Sequence, residues 1–283
     1  SIDNSGNTIV LGLGLSHIYS DGTPVSDPDQ PQSSTSGSLD WRLRTGGLIV
    51  LTKDSNDNWD WTNKTLIAGS VGASNYVNPD NGNDWGYKIG EGFGMLVRIS
   101  GDGKTIVTGS YNMVINGNYI GGAAILNYIN NTWTRYENEG KNCITNGKLF
   151  ENAPWYAGFG GDGPQLGINN DGTKISIGSY TGFGEIWIKE NDIWNFKAKL
   201  EATDYSFFSS STKVWSNNNT ISPSGNYFGA CVRNADNSSK LSIFIKKLDY
   251  APTSITNFKV YHNMTVDVPY QITGSKFGDS VHI

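Results

Sequence analysis

The sequence predicts an all-β chain built from four copies of one four-stranded antiparallel unit. Three observations carry this: an excess of turn-forming and aromatic residues, a hairpin pattern that recurs along the chain, and a second pair of strands after each recurrence. Glycine accounts for 35 of the 283 residues, where the ordinary share of roughly 7% gives about 20. Aromatic residues make up 12% and charged residues only 17%. That balance excludes a helical bundle or coiled coil, which needs long Ala/Glu/Lys/Leu-rich stretches.

The first and second strands are clearest in Phe93-Gly-Met-Leu-Val-Arg-Ile-Ser-Gly-Asp-Gly-Lys-Thr-Ile-Val-Thr-Gly-Ser110. Val97 and Ile99 alternate with Arg98 and Ser100, the period of a strand with two unlike faces. An Asp-Gly turn follows, and then a second strand ending in glycine. The pattern returns in Phe159–Ser179 and, more weakly, from Val214 through Ile221-Ser-Pro-Ser-Gly225 to Ala230. It returns again when Phe277–Ile283 is read on into Ser1–Gly12. Third strands follow at Gly47–Thr52, Gly122–Tyr128, Gly184–Lys189 and Leu241–Lys246. After polar turns (Asp54–Asn58, Asn130–Thr132, Glu190–Asp192 and Asp249–Thr256) come fourth strands marked by Trp59, Trp133, Trp194 and Phe258. The repeated tryptophans read as packing residues between units.

A radial array of such meanders is a β-propeller, because each twisted sheet has two faces that its neighbours cover. The expected architecture is a single propeller domain over residues 1–283, with blades at 277–283 plus 1–67, 93–137, 159–200 and 214–266. Pairing of the N- and C-terminal segments then closes the ring. Two rival readings stay open: a segment of a longer repeat array, and a terminal strand that inserts into another subunit. The chain opens Ser1-Ile2-Asp3 without Met or a signal segment. That suits a mature form, an excised domain or part of something longer.

The run Phe-Gly-x-x-Val-x-Ile-Ser-x-Asp-Gly-x-Thr-Ile-Val-x-Gly-Ser, with Gly-x-x-x-Ile-x-x-Tyr and a Trp after the next turn, resembles the FG-GAP (integrin-α-like) propeller repeat. It is most similar to the variant of bacterial, algal and viral surface proteins. The resemblance spans essentially the whole chain, strongest at 93–136 and weakest at 214–250. It implies an extracellular, cell-surface or virion-surface adhesion or receptor-binding role. Two departures matter. The family's Gly-Ala-Pro is replaced by Gly109-Ser-Tyr111, Gly178-Ser-Tyr180 and Gly229-Ala-Cys231. The Asp-x-Asp-x-Asp-Gly calcium loop is missing from the first hairpins, which carry Asp3, Asp102 or Asp171 alone, or Ser222-Pro-Ser224. One carboxylate is too few for a calcium cage, so no cofactor is expected.

In a meander, the 2–3 connections and the links between blades emerge at one end. Here those segments are long, at roughly 15–45, 67–91, 111–121, 137–158, 201–213 and 267–276. Loops longer than about 12–15 residues without structure of their own are usually functional or disordered. They hold Trp41, Tyr76, Asp84, Trp85, Tyr87, Trp155, Tyr156, Phe207 and Phe208. Ring faces stack on sugar C–H surfaces while amides and carboxylates take hydroxyls, so this set is the candidate glycan- or protein-binding face. Asp80-Asn-Gly-Asn-Asp84 is a weak metal candidate through Asp80 and Asp84. Asp54-x-Asn56-x-Asn58-x-Asp60 has alternating oxygens but lacks the sixth-position Gly and twelfth-position acid of a calcium loop, so it reads as a polar turn.

The remaining signals narrow the function. Net charge is -5, which leaves no basic footprint for nucleic acid, and no apolar run approaches the ~20 residues of a membrane span. His17, His262 and His282 share no ligand spacing. The glycine-rich runs at Gly12 and Gly158–Gly163 precede no helix, so they are not nucleotide loops. Cys143 and Cys231 allow at most one bridge and have no recognisable His partner. Asn-x-Ser/Thr triplets stand at Asn63, Asn130, Asn218, Asn237 and Asn263. The leading expectation is a non-catalytic surface or fibre-tip propeller. The alternatives are a structural subunit of a filament or capsid decoration, joined by exchange of its terminal strand, and a propeller glycoside hydrolase or lyase using Glu91, Asp162 and Asp279.

Overall fold

A computed structural model describes residues 1–14, 46–69, 92–110, 114–115, 118–119, 122–136, 165–178, 183–201, 215–233, 240–247 and 260–267. All regular structure in them is β. The first sheet comprises β1 (Thr8–Gly12), β2 (Gly47–Thr52) and β3 (Thr65–Ala68). The second holds β4 (Val97–Ile99), β5 (Thr105–Ser110), β8 (Gly122–Ile129) and β9 (Thr132–Arg135), with a two-stranded ribbon of β6 (Val114–Ile115) and β7 (Asn118–Tyr119) between β5 and β8. The third is β10 (Gln165–Ile168), β11 (Lys174–Gly178), β12 (Phe183–Glu190) and β13 (Ile193–Glu201). The fourth is β14 (Trp215–Ile221), β15 (Tyr227–Arg233), β16 (Lys240–Lys247) and β17 (Val260–Asp267). Each of the four is an antiparallel meander in chain order.

Turn chemistry explains where the strands reverse. Gly6, Gly103, Gly172 and Gly225 all sit at φ between +66° and +72°, a left-handed conformation that side chains disfavour. The outer hairpins of the second and third sheets use two consecutive left-handed residues, Asn130-Asn131 and Asn191-Asp192, as a two-residue turn requires. Asn and Asp are the non-glycine residues that tolerate this best.

The first sheet departs from expectation in two ways. Its outermost strand is Thr65–Ala68 rather than the segment marked by Trp59, which forms only an isolated bridge with Lys53. The intervening chain is folded into two successive turns by Asp54, whose Oδ1 accepts from the N–H groups of Asn56 and Asn58, and by Asp60, which does the same for Thr62 and Asn63. Secondly, the N-terminal residues themselves supply the end of the first strand. Ile2 bridges Ile9, and Ser1 and Val10 exchange backbone hydrogen bonds of 2.9 and 2.8 Å. Asp3 therefore takes the position of Ser100 in the repeat. Phe277–Ile283, expected to continue that strand, lies outside the described residues.

The sheets stack in chain order, and two cores lie between them. Val10, Leu48 and Val50 of the first sheet meet Val97, Ile99, Ile106, Ala124 and Leu126 of the second, with Phe93 wholly buried among them. Val107, Ala123 and Ile125, on the second sheet's other face, meet Leu166, Ile175, Ile177 and Trp187 of the third. Each Val, Leu, Ile or Phe among them contributes roughly 1.5–3 kcal/mol on burial, so the stack is held by its interfaces. Between the third and fourth sheets β10 runs against β14, and Gly167 permits it: a Cβ there would stand 2.6 Å from the Ile221 nitrogen.

Of the repeated tryptophans, Trp194 packs as expected, 2% exposed in the second core, with its backbone N–H on Tyr136 Oη of the neighbouring sheet. Trp133 packs partly against the first core and tilts onto Tyr128. Trp59 does not join either core; it lies under the Lys53 ammonium, 5.5 Å from the ring centroid.

Candidate functional site

The two ends of the sheets differ in character. At one end stand the four glycine turns, and each is tied by a buried polar side chain three residues before its glycine. Asp3 Oδ1 accepts from the N–H groups of Asn7 and Thr8 at 2.9 and 3.0 Å. Ser100 Oγ accepts from Thr105, Asn169 Oδ1 from Thr173 and Lys174, and Ser222 Oγ from Tyr227. All four caps are buried, and an oxygen there satisfies donors that the hairpin leaves unpaired.

Successive turns are also joined to one another. Asn4 N–H donates to Gly101 O, Asp102 N–H to Asn170 O, and Asn170 N–H to Pro223 O, at 3.0, 2.8 and 2.8 Å. The glycines nest on the preceding turn: a Cβ at Gly103 would stand 2.9 Å from Asp3 Oδ2, and one at Gly172 would stand 2.5 Å from Thr105 Oγ1. Among the described residues, none comes within 4 Å of a Cβ at Gly6. Sequence reading missed this belt because its residue type changes from copy to copy. The signal was nonetheless present, as an oxygen-bearing side chain at a fixed offset from each turn glycine.

The carboxylates at this end are engaged by the chain itself. Asp171 is pushed up by burial, but hydrogen bonds from Thr173 and Asn169 and the charge of Lys174 outweigh this and hold it below its ordinary 3.8. Asp60 is lowered chiefly by the Asn63 side chain, whose amide donates to it at 2.7 Å. The Asp54–Asp60 run is thus a pair of self-bonded turns, in line with the polar-turn reading.

The first strands of successive sheets lie side by side. Ile99 N–H donates to Ser1 Oγ at 3.1 Å, β4 touches β10, and β10 touches β14. Ser1, Arg98, Gly167 and Thr220 occupy equivalent positions on these strands. Arg98 is half-buried and donates to its neighbour Val97 O at 3.0 Å; burial lowers its pKa from the ordinary guanidinium range. Burial, and then the Arg98 charge, likewise lower that of the Ser1 amine.

The other end is where the long connections leave and return. β1 ends there and β2 begins there; so do the ends joined by 69–96, 136–164 and 202–214. Trp41, Tyr76, Asp80, Asp84, Trp85, Tyr87, Trp155, Tyr156, Phe207 and Phe208 all belong to these connections and lie outside the described residues, as do Glu91, Asp162, Asp279 and Cys143. The described part of the 111–121 connection is the β6–β7 ribbon.

No family model matches the chain, and no curated protein matches it. Among solved structures it is similar to the periplasmic gluconolactonase PpgL of Pseudomonas aeruginosa, at 13% identity and a TM-score of 0.44, over 77% of this chain and 50% of that one. It is also similar to the Cps50 (Swd1) β-propeller domain of Myceliophteria thermophila, at 10% and 0.36 over 78% and 56%. A third likeness is to a hypothetical selenium-binding protein from Sulfolobus tokodaii, at 11% and 0.44 over 78% and 46%. The chain spans about half the length of these structures. Likenesses at these scores lend it neither an activity nor a number of blades.

Proposed function

We propose that the chain is a non-catalytic recognition propeller of the FG-GAP kind, with four blades in one ring, that binds a glycan or a protein receptor at a cell or virion surface. The observation that carries this is connectivity. The connections bearing the candidate aromatic residues leave from one end of the sheets, while the other end is tied by short, self-capped turns. A rigid stack that gathers its variable segments at one end is the usual arrangement of a binding scaffold. The ligand-binding residues in this reading are Trp41, Tyr76, Asp84, Trp85, Tyr87, Trp155, Tyr156 and Phe207.

Ring closure is suggested by the outer side of the first sheet. Ile2, Ile9, Leu11, Ile49, Leu51 and Leu66 share the face turned away from the first core; Leu51 is buried, whereas Ile2 is 51% and Leu66 38% exposed. The fourth sheet would cover this face and fill the empty nest at Gly6. Phe277–Ile283 would extend the first strand alongside Leu11 and Gly12. The same face also suits strand exchange between copies, the filament reading. Deleting Phe277–Ile283 separates them: a destabilised monomer means closure, whereas lost assembly of intact monomers means exchange.

The function is tested on a glycan array, with Trp85→Ala and Trp155→Ala beside the parent chain. Binding to a defined sugar that either variant loses supports recognition at the long-loop end. Binding unchanged in both variants contradicts it. Turnover of a glycan, abolished by Asp162→Asn, Glu91→Gln or Asp279→Asn, would establish the hydrolase alternative instead.

A further inference from the structure

The five Asn-x-Ser/Thr triplets are equivalent in the sequence, and the fold separates them. Asn218 and Asn263 lie within strands β14 and β17, and Asn237 lies outside the described residues. Asn130 opens the tight turn between β8 and β9; Tyr128, two residues before it, is engaged with Trp133 at a centroid distance of 5.1 Å. Asn63 is exposed in the turn leading to β3, and Thr65, the hydroxyl residue of its triplet, is exposed at the start of that strand. Asn130 and Thr132 are exposed as well, so what sets Asn63 apart is the aromatic residue two positions before it, which, unlike Tyr128, is not engaged by a neighbouring ring among the described residues.

The surroundings of Asn63 are ordered. Asp60 Oδ1 accepts from the N–H groups of Thr62 and Asn63, both at 2.9 Å, and its Oδ2 accepts from the Asn63 side-chain amide at 2.7 Å. Lys64 Nζ donates to Trp61 O at 3.2 Å, closing the same turn. Trp61, two residues before Asn63, is 56% exposed, the most exposed large hydrophobic side chain among the described residues. No ring or cation stacks on it there. A bare indole beside a sugar-acceptor triplet offers an apolar surface to the C–H face of an attached sugar.

We propose that Asn63 is an acceptor for an N-linked glycan, with Trp61 as the platform for its innermost sugar. In the transfer, Asn63 Nδ2 forms a bond to C1 of the sugar of a lipid-pyrophosphate-linked oligosaccharide. The C1–oxygen bond to the pyrophosphate breaks, the lipid pyrophosphate leaves, and one amide proton passes to a base of the transferase. Nothing is oxidised or reduced. The second amide hydrogen remains on Nδ2 after the transfer. The site lies on the β2–β3 connection, at the end of the sheets that holds the glycine turns. A glycan there leaves the long-loop end unobstructed.

The test is secretion of the full chain from eukaryotic cells behind a signal peptide, with peptide mapping before and after enzymatic deglycosylation. The Asn63 peptide is expected to be occupied, to lose occupancy in Thr65→Ala, and to fall several-fold in Trp61→Ala with recovery in Trp61→Phe. Removal of the glycan is expected to lower the unfolding temperature of the parent chain but not of Trp61→Ala. An unmodified Asn63 peptide, whatever the state of the other triplets, overturns the proposal. Occupancy and unfolding temperature that ignore Trp61→Ala overturn the platform role.

Discussion

Replacing Asn169 by alanine removes the cap that ties the third glycine turn. The Asn169 oxygen accepts from Thr173 N–H at 3.0 Å and Lys174 N–H at 2.9 Å, and the residue is buried. A hydrogen bond of this kind is worth about 1 kcal/mol net, and a stranded buried donor costs more. Together these give a loss of about 2–3 kcal/mol for Asn169→Ala. At about 2–4 °C per kcal/mol for a chain of this size class, the unfolding midpoint should fall by roughly 5–10 °C. The repeat supplies its own control. Serine caps two of the other turns through one bond each, to Thr105 and Tyr227, so Asn169→Ser should regain about 1 kcal/mol. Aspartate caps the first turn through Asn7 and Thr8. At position 169, however, Asp would set its charge against Asp171, whose carboxylate now accepts from the Asn169 amide at 2.6 Å. The expected order of stability is Asn, then Ser, then Ala, with Asp below Asn, read by chemical denaturation at neutral pH. Alanine within about 0.5 kcal/mol of the parent, or serine no better than alanine, would refute the reasoning.

Two further outcomes follow from packing. Trp194→Ala empties a wholly buried site between the second and third sheets and should cost about 3–5 kcal/mol. Trp194→Phe should cost far less, because the indole Nε1 it deletes is buried without a hydrogen-bond partner. Denaturation of both variants checks the ratio. Alanine at Gly172 must adopt φ near +66° and also meet Thr105 Oγ1. In the proposed closed ring, alanine at Gly6 meets the fourth turn in the same way, so the two substitutions should cost about equally in the same assay, whereas a clearly smaller loss at Gly6 contradicts closure.

The sheets were legible in the sequence because each hairpin demands a left-handed residue at a fixed place, and glycine or Asn-Asn marks it openly. Strand faces were legible for a similar reason: Val97 and Ile99 must alternate with Arg98 and Ser100 if one side is buried. The caps were not, because Asp3, Ser100, Asn169 and Ser222 share only an acceptor oxygen, and pattern matching by residue type overlooks a shared atom. Trp59 misled because an aromatic at the repeat position normally marks the outer strand. In the first sheet, Asp54 and Asp60 hold that stretch in turns and delay the strand to Thr65. The proposed recognition residues had no comparable constraint. Trp85 or Trp155 in a long connection answers to no period, register or φ requirement, so composition alone singled them out.

The proposed propeller is one ring of four sheets with its long connections gathered at a single end. Cysteines at Ser5 and Ser224, in a chain whose Cys143 and Cys231 are replaced by serine, test that ring at its seam. Closure places the fourth glycine turn on the empty nest at Gly6, so oxidation should give a cross-linked monomer at low protein concentration, seen by non-reducing electrophoresis and mass. Cross-links found only between chains, or none in a folded protein, would contradict the closed ring.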